Sequence, residues 1–433
     1  MGITPSRNIF FALSVLFLIN LMNYFDRSIP AVVLESIGKE FSLTDTSLGI
    51  IAIAFTLVHA MVGVPLGYVA DRFTRTRVIS IGVALWSLLT AASGAAWSFT
   101  SFLLARAGVG IGEASFAPAA NSLIADLVPS SKRARAIGLF MLGYPIGTFL
   151  CYYFVGLIAQ VGGWRLPFIL AAIPGVLLAL LILLVREPIR GGKDSKTSVS
   201  RTSIFSLIRM PVFVWLCVFC SFMNMSAYGL VTFLPTLLMR VHGLNVSDAG
   251  AISSIVLGGT GLVGLTLGAW LADKFHQKFN GGRLILGAFS MFASTPLLWA
   301  GLSSPPGNTQ SLLIFLTIGW LLYFIYFVTV YPTLLDIVDA SRRGVAMAIV
   351  FFFANVLGGG IGTLLTGVLS DRFANEAMLL AGAVELTAAD RAIGLNLSLQ
   401  YVVPAGIFLG GMTMLFALRS YRAMQLTRPV LSR

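Results

Sequence analysis

Three charged residues interrupt apolar runs of this sequence. Arg106 and Glu113 lie in the run from about residue 102 to 124, and Asp26 lies in the first apolar run. The spacing of seven places Arg106 and Glu113 on one face of an α-helix, about two turns apart. A guanidinium binds phosphate or carboxylate through two parallel hydrogen bonds, whereas a carboxylate in hydrocarbon must bind a cation or a proton. These residues predict a site that holds an anionic group and exchanges protons.

We expect Asp26 and Glu113 to carry protons, and Arg106 to meet an anionic headgroup and act as a charge switch. If Arg106 binds substrate and also pairs with a carboxylate, substrate and proton compete for it, which is a physical basis for coupling. The alternative is a permanent Asp26–Arg106 or Glu113–Arg106 ion pair that only holds two helices together.

One histidine and three glycines are further candidates for this site. His59, in the second apolar run, could relay protons because an imidazole titrates near neutral pH, although a simple hydrogen-bonded histidine is the alternative. Gly108, Gly110 and Gly112 alternate around the charged pair. They predict close approach of a neighbouring helix or of a ligand to the backbone.

The composition is that of an integral membrane protein. Of the 433 residues, 57% are hydrophobic and 11% are charged, whereas soluble domains carry about 25% charged residues. The net charge of +12 arises mainly from basic residues in short loops between apolar runs, so it does not indicate a nucleic-acid partner. Cys151, Cys217 and Cys220 lie within apolar runs and are expected to be buried thiols.

Twelve apolar runs are long enough to span a bilayer, which needs roughly 20 residues. They lie at about 8–33, 47–70, 78–98, 101–127, 135–160, 165–185, 211–238, 247–272, 283–302, 311–336, 344–370 and 397–420. The fold class predicted is therefore an all-α membrane protein. A basic, polar stretch divides the spans six and six, which predicts an N-terminal six-helix bundle at 1–190, a linker at 191–210 and a C-terminal six-helix bundle at 211–433.

Most of the 29 Lys and Arg residues fall on the side of the membrane that holds the N-terminus. Since basic loops stay in the cytoplasm, both termini are expected there, and we expect the cell (inner) membrane of a bacterium. The first apolar run is too long for a signal-peptide core and is expected to remain as the first span.

The two halves repeat each other. The second span ends Gly67-Tyr-Val-Ala-Asp71-Arg72-Phe73, and the eighth ends Gly268-Ala-Trp-Leu-Ala-Asp273-Lys274-Phe275. The segment Asp126-Leu-Val-Pro-Ser-Ser-Lys-Arg133 likewise has a counterpart in Asp336-Ile-Val-Asp-Ala-Ser-Arg-Arg343. Parallel repeats of six spans are typical of secondary transporters that bind substrate near the bilayer midplane.

These motifs resemble those of a known superfamily. Asp71-Arg-Phe-Thr-Arg75-Thr-Arg77 after Gly67 closely resembles the cytoplasmic signature of the major facilitator superfamily. Asn23-Tyr-Phe-Asp26-Arg27, together with Ala105-Arg106-Ala-Gly-Val-Gly-Ile-Gly-Glu113, looks like the Spinster family within it. The resemblance implies the pseudo-symmetric major facilitator fold, a monomer, and alternating-access transport of sphingosine-1-phosphate or lysophospholipids, coupled to protons in bacterial members.

The resemblance also implies a cytoplasmic gate. In the superfamily, the signature aspartate pairs with the end of another span when the cavity is closed to the cytoplasm, which gives Asp71 a gating role rather than a substrate contact. The residues assigned to this gate are Gly67, Asp71, Arg72, Arg75 and Arg77, with Arg133, Asp273 and Arg343 as equivalents elsewhere in the sequence.

The second half has almost no charge at membrane depth, so its candidate cavity lining is polar and aromatic. These candidates are Asn224, Tyr228, Tyr323, Phe324, Phe327 and Asn355. One charged wall and one aromatic wall would suit an amphiphile with a charged head and an acyl tail. Packing between helices is the alternative for the aromatic residues.

Two other functions are alternatives to lipid transport. A proton-coupled symporter of small organic anions such as sugar acids could use Arg106 for the carboxylate. A membrane enzyme or a non-transporting receptor would need a catalytic constellation. The sequence has no metal-spaced His/Cys cluster, nucleophile elbow or phosphate-binding glycine loop, so no enzyme, cofactor, metal or ATP-driven pump is predicted.

Overall fold

The computed structural model describes residues 5–188, 205–339 and 342–427. Most of the predicted linker at 191–210 therefore lies outside the described residues, as does the side chain of Asp71. Helices are the regular structure found throughout the part that is described. The prediction of an all-α membrane protein is confirmed.

The first half contains nine α-helices. They are α1 (Pro5–Val32), α2 (Leu34–Glu40), α3 (Asp45–Arg72), α4 (Arg75–Gly94), α5 (Phe99–Ala114), α6 (Phe116–Leu127), α7 (Ser130–Met141), α8 (Gly143–Gly162) and α9 (Leu166–Leu181). A 3₁₀ turn at Ile182–Leu184 follows α9.

The second half also contains nine α-helices within the described ranges. They are α10 (Phe205–Ile208), α11 (Pro211–His242), α12 (Val246–Ser253), α13 (Thr260–Lys278), α14 (Gly282–Leu302), α15 (Thr309–Ile337), α16 (Arg343–Phe352), α17 (Ile361–Leu380) and α18 (Ala388–Thr427). Short π-helical stretches, Ser254–Gly259 and Phe353–Gly360, connect α12 to α13 and α16 to α17.

Eleven helical segments of the described chain are long and apolar enough to cross a membrane. The sequence predicts twelve, and the difference is the run at 101–127, which divides into α5 and α6 at Ser115. Pro118 explains the break, because its ring nitrogen has no N–H to donate to the carbonyl of Ala114 one turn earlier. The Ser115 hydroxyl instead donates to the Gly112 carbonyl at 2.8 Å.

The described residues form two compact units. The first unit contains the helices up to residue 188 together with Thr232–Met239 and Leu244–Gly258, and the second unit contains the remainder of α11 and the helices from Gly259 onwards. Within the first unit, α5 packs against both α3 and α4. Its core is formed by fully buried side chains such as Leu16, Ile19 and Trp86.

An ion-pair cluster ties three helix ends of the first unit on the side opposite the basic loops. The Glu40 carboxylate at the end of α2 accepts two hydrogen bonds from the Arg165 guanidinium and one from the Trp164 indole, each 2.6 Å long. Arg165 also donates to the Ala96 carbonyl beyond α4. The hydrogen bonds from Arg165 and Trp164 lower the pKa of Glu40 to about 2.

Candidate functional site

Asp26 lies on α1 and is completely buried in the first unit. Neither of its carboxylate oxygens forms a close hydrogen bond among the described residues, and the Trp86 side chain acts only as a weak donor to it. Buried polar atoms are almost always hydrogen-bonded, so this carboxylate is poorly satisfied for a fully buried group. Its role as a proton carrier stays a prediction.

Glu113, on α5, forms an ion pair with Arg27. The Nη2 and Nε atoms of Arg27 donate to Oε2 of Glu113 at 2.7 and 3.1 Å. The Glu113 side chain is fully buried, whereas that of Arg27 is 23% exposed. The spacing along α5 predicts only Arg106 as the cation for Glu113. Arg27 directly follows Asp26 in the sequence, but spacing along the chain does not tell which way its side chain points.

Arg106 lies about two turns before Glu113 on α5 and is 2% exposed. Its Nη2 atom approaches the backbone carbonyl of Asp26 at 3.5 Å, and its Nη1 atom forms no hydrogen bond within the described chain. Pro30 explains why that carbonyl is available: a proline inside a helix cannot donate to the carbonyl four residues earlier. Arg106 therefore touches the backbone of Asp26 rather than its carboxylate.

Phe55 of α3 joins the two cations. Its ring lies 5.0 Å from the Arg27 guanidinium and 5.7 Å from that of Arg106, and it stacks on the His59 ring at 5.8 Å. His59 is half-buried, and it lies close enough to Arg27 to interact with that charge as well as with the Phe55 ring. A direct proton relay through His59 stays a prediction.

The glycines of α5 position these side chains. A Cβ atom at Gly110 would lie 2.9 Å from the Phe55 carbonyl oxygen on α3. One at Gly112 would lie 2.8 Å from the Gly82 carbonyl oxygen on α4. Small residues allow helix backbones to approach closely in a membrane, and here they do so on two opposite sides of the charge-bearing helix.

The resulting cluster contains two carboxylates and two guanidinium groups from α1 and α5. Four of its buried polar atoms form no hydrogen bond in the described structure: both carboxylate oxygens of Asp26, Oε1 of Glu113 and Nη1 of Arg106. The cluster can therefore accept a proton on a carboxylate and donate hydrogen bonds to an anion.

The predicted lining of the second unit separates into two groups. The Tyr228 hydroxyl hydrogen-bonds the Asn355 side chain at 3.1 Å across α11 and the π-helical stretch, whereas Asn224 donates to a carbonyl of its own helix. Tyr323 and Phe324 are buried against Trp320, which is the geometry of packing residues. Phe327 stacks on Phe324 but is half-buried.

The predicted gate residues centre on Arg75, which is completely buried at the start of α4. Its guanidinium forms ion pairs with Asp126 at 2.5 Å and with Glu187 at 2.7 Å. Burial raises the pKa of Glu187, but hydrogen bonds from the Arg75 side chain and the Thr76 backbone N–H outweigh it and leave that pKa below its ordinary value. Sequence analysis identified Arg75 but assigned neither carboxylate to it.

The other gate candidates differ in burial. Arg72 and Arg77 are exposed, and a Cβ atom at Gly67 would meet no atom within 4 Å. Asp273, the second-half counterpart of Asp71, is exposed on α13. Their gating role stays a prediction.

The internal repeat is visible in the contacts of each unit. In the first unit, Arg133 donates to the Ala125 carbonyl at 2.7 Å; in the second, Arg343 donates to the Leu335 carbonyl at 3.0 Å, across the same separation of eight residues. Asp126 follows Ala125 and pairs with Arg75 at the start of α4. Asp336 follows Leu335 and pairs with Arg283 at the start of α14.

Comparisons with known proteins agree with this architecture. The family model of the Major Facilitator Superfamily matches residues 16–363. An MFS-type efflux pump of Mycolicibacterium smegmatis is 28% identical to this chain, over 88% of the chain and 91% of the pump. Protein spinster homolog 1 of Xenopus laevis is 30% identical, over 86% of this chain and 74% of that protein.

A solved structure matches along almost the whole chain. It is the crystal structure of a bacterial homologue of the human lysosomal transporter Spinster, in an inward-facing and unoccupied conformation. The TM-score is 0.87 at 28% identity, and the match covers 98% of this chain and 99% of that one. The resemblance read from the motifs is thereby confirmed. The chain belongs to the major facilitator superfamily and is a multi-pass membrane transporter of the Spinster type, not an enzyme.

Proposed function

We propose that this transporter moves an amphiphilic lipid of the sphingosine-1-phosphate or lysophospholipid type by alternating access, coupled to protons. The observation that carries the proposal is the buried cluster of Asp26, Arg106 and Glu113, with free donor and acceptor atoms on all three. A headgroup phosphate would bind Nη1 of Arg106, which stays charged in a dry site and binds oxyanions well.

Proton coupling follows from the carboxylates. Glu113 already has a cation in Arg27, whereas the Asp26 carboxylate forms no ion pair among the described residues. An ionised carboxylate held that way in hydrocarbon costs several kcal/mol, so its charge must change or be matched during the cycle. An anion that binds Arg106 draws this guanidinium away from Asp26, and a proton on Asp26 compensates.

The polar and aromatic side chains of the second unit are proposed to meet the less polar part of the substrate. Tyr228 and Asn355 are the strongest candidates, because both are half-buried and hydrogen-bond each other. Fully buried Phe324 is the weakest. We further propose that both termini lie in the cytoplasm, on the basis of the distribution of Lys and Arg. A monomer in a bacterial cell membrane is proposed from the resemblance to the superfamily.

Uptake into proteoliposomes tests substrate and coupling together. Labelled lysophosphatidylcholine, sphingosine-1-phosphate and a sugar acid are supplied with and without an imposed pH gradient. We expect gradient-stimulated movement of a lipid. Asp26→Asn and Glu113→Gln should lose the response to the gradient, whereas Arg106→Ala should lose substrate binding first.

A matched control is Glu376→Gln, which removes a carboxylate from an exposed ion pair on α17. It should transport like the wild type. If the sugar acid alone is transported, the proposed function is wrong, and the protein is instead an organic-anion symporter that uses the same Arg106. Full gradient-driven uptake by Asp26→Asn would remove Asp26 from the coupling mechanism.

A further inference from the structure

A groove of about 390 Å³ lies on the first unit, away from the buried charges. It runs between α3 and α4, and α5 forms its floor. This volume falls within the roughly 300–1,000 Å³ that is typical of small-molecule sites. The transport cycle proposed above makes no use of it.

The glycine pattern of α5 explains why the groove exists. Gly110 brings α3 against α5, and Gly112 brings α4 against α5. Ile111, between them in the sequence, faces the gap that remains and is 40% exposed at its floor. Since α3 and α4 contact each other little, the gap is not closed by their own side chains.

The lining is amphiphilic along its length. Its walls are mainly apolar, with Phe73, Ile81 and Leu85 among the exposed hydrophobic side chains. Arg77 lines the end at which α4 begins. Its side chain is exposed, and it forms no ion pair with any acidic group of the described chain.

The groove matches the dimensions of part of a lipid chain. From Arg77 to Leu85 the helix rises about 12 Å at 1.5 Å per residue, a little under half of the roughly 30 Å hydrocarbon core. One end therefore offers a cation near the membrane surface on the side of the basic loops, and the rest offers apolar contacts deeper in the bilayer.

We propose that this groove binds an acyl chain of a resident anionic phospholipid of the surrounding bilayer, whose phosphate group contacts Arg77. A phospholipid fits better than the transported lipid because the lining is open to the membrane rather than enclosed. An anionic headgroup fits better than a zwitterionic one because Arg77, at the mouth, forms no ion pair among the described side chains. This assigns Arg77 to lipid binding rather than to the gate, and it is independent of Arg106 and the proposed transport site.

Native mass spectrometry of the full-length protein in detergent tests the proposal, with phosphatidylglycerol and phosphatidylcholine as probes. The wild type should retain one phosphatidylglycerol in preference to phosphatidylcholine. Arg77→Gln should lower retention of phosphatidylglycerol about fivefold, the effect of roughly one basic residue at an anionic membrane surface. Arg135→Gln, which removes an exposed basic residue of α7, should retain it like the wild type.

A second pair of variants tests the apolar part of the site. Ile81→Trp fills the groove without changing charge and should lower retention of phosphatidylglycerol. Leu177→Trp, at another exposed apolar position, on α9, should not. Equal losses in Arg77→Gln and Arg135→Gln, equal retention of both phospholipids, or displacement by stoichiometric lysophosphatidylcholine would each overturn the proposal. Since Arg106 is unchanged in all variants, uptake in proteoliposomes reports separately on the proposed function.

Discussion

Arg27 and Arg106 are both cations near two carboxylates, but their surroundings give them different roles. Arg27 has a committed partner, because two of its nitrogen atoms bind one oxygen of Glu113. Arg106 lies beside the Phe55 ring, donates one long hydrogen bond to a backbone carbonyl and keeps its Nη1 donor free within the described chain. A residue that binds substrate needs such a free donor. At the scale of single residues, therefore, Arg106 is suited to the anion and Arg27 to holding Glu113 in place.

The commitment of Arg27 to Glu113 predicts that removing either partner lowers the free energy of unfolding by a different amount. Arg27→Met leaves a buried carboxylate without its cation, which costs about 3–5 kcal/mol for a fully buried pair and less here because Arg27 is 23% exposed. Glu113→Gln should cost less, and the double variant should recover part of the loss of Arg27→Met. Thermal unfolding of the four proteins in detergent measures this coupling. Strictly additive changes in Tm would contradict the ion pair.

The Glu40 cluster predicts a pH dependence. The pKa of Glu40 is about 2 in the folded protein, against an ordinary value of 4.5. The cluster therefore contributes its full stabilisation above about pH 4.5, and loses it as the pH falls through about 2. Because Glu40 and Arg165 are more than a third exposed, the contribution is expected to be about 0.2–1 kcal/mol.

Thermal unfolding between pH 7 and pH 3 checks this sign. Glu40→Gln should unfold at a lower temperature than the wild type at pH 7. This difference in unfolding temperature should narrow only as the pH approaches 3. A gap that already closes at pH 5 would show that the Glu40 pKa is not lowered.

At the scale of helices, α5 is the element on which the site depends. It carries Arg106 and Glu113, and it approaches α3 and α4 on opposite sides through glycine. Prolines add to this arrangement: Pro30 frees the Asp26 carbonyl for Arg106, and Pro118 ends α5 at Ala114, directly after Glu113. The irregular positions of α1 and α5 therefore lie next to the charged cluster.

Gly110→Ala tests this role of α5. The new methyl group would lie 2.9 Å from the Phe55 carbonyl oxygen and 3.3 Å from the backbone nitrogen of His59, so α3 must move away. We expect destabilisation of about 1–3 kcal/mol, typical of overpacking, and a larger loss of uptake because Phe55 contacts both cations.

Gly138→Ala is the matched control, since a Cβ atom there meets no atom within 4 Å. It should leave the unfolding temperature and uptake close to those of the wild type. Uptake by Gly110→Ala equal to that of Gly138→Ala would show that the α3–α5 spacing does not set the site.

At the scale of the whole molecule, the two halves share an arginine–aspartate pair at a helix start but differ in their buried charges. Both place an arginine at a helix start against an aspartate, in Arg75–Asp126 and in Arg283–Asp336. The first pair is more deeply buried and recruits Glu187 as a second carboxylate. The buried charged cluster of Asp26, Arg106 and Glu113 belongs to the first unit as well. The repeated pairs are suited to holding helix ends, and the unrepeated cluster to binding.

This asymmetry predicts unequal effects of equivalent substitutions. Arg75→Ala removes a fully buried guanidinium from two carboxylates and should lower the unfolding temperature strongly. Arg283→Ala breaks a pair whose aspartate side chain is 52% exposed, and should lower it less. Thermal unfolding of both variants measures the difference. Equal losses would mean that the two pairs are equivalent despite their burial.

The sequence by itself determined the membrane class, the approximate positions of the apolar runs, the repeat and the three buried charges. Hydropathy, charge and spacing are properties of a local stretch, and at membrane depth an isolated charge is conspicuous because it is costly. Hydropathy did not predict the helix breaks at Ser115 and Leu142 or the π-helical stretches at Ser254–Gly259 and Phe353–Gly360, although Pro118 is a local cause of the first break.

The tertiary structure decided which charges meet. Glu113 pairs with Arg27, 86 residues away, rather than with Arg106 on its own helix. Arg75 pairs with Asp126 of α6 and with Glu187 of the segment that follows α9. Such partners depend on how α1 is rotated towards α5, and on how closely the glycines let helices approach. A spacing along one helix does not contain that rotation, because it arises from packing between helices.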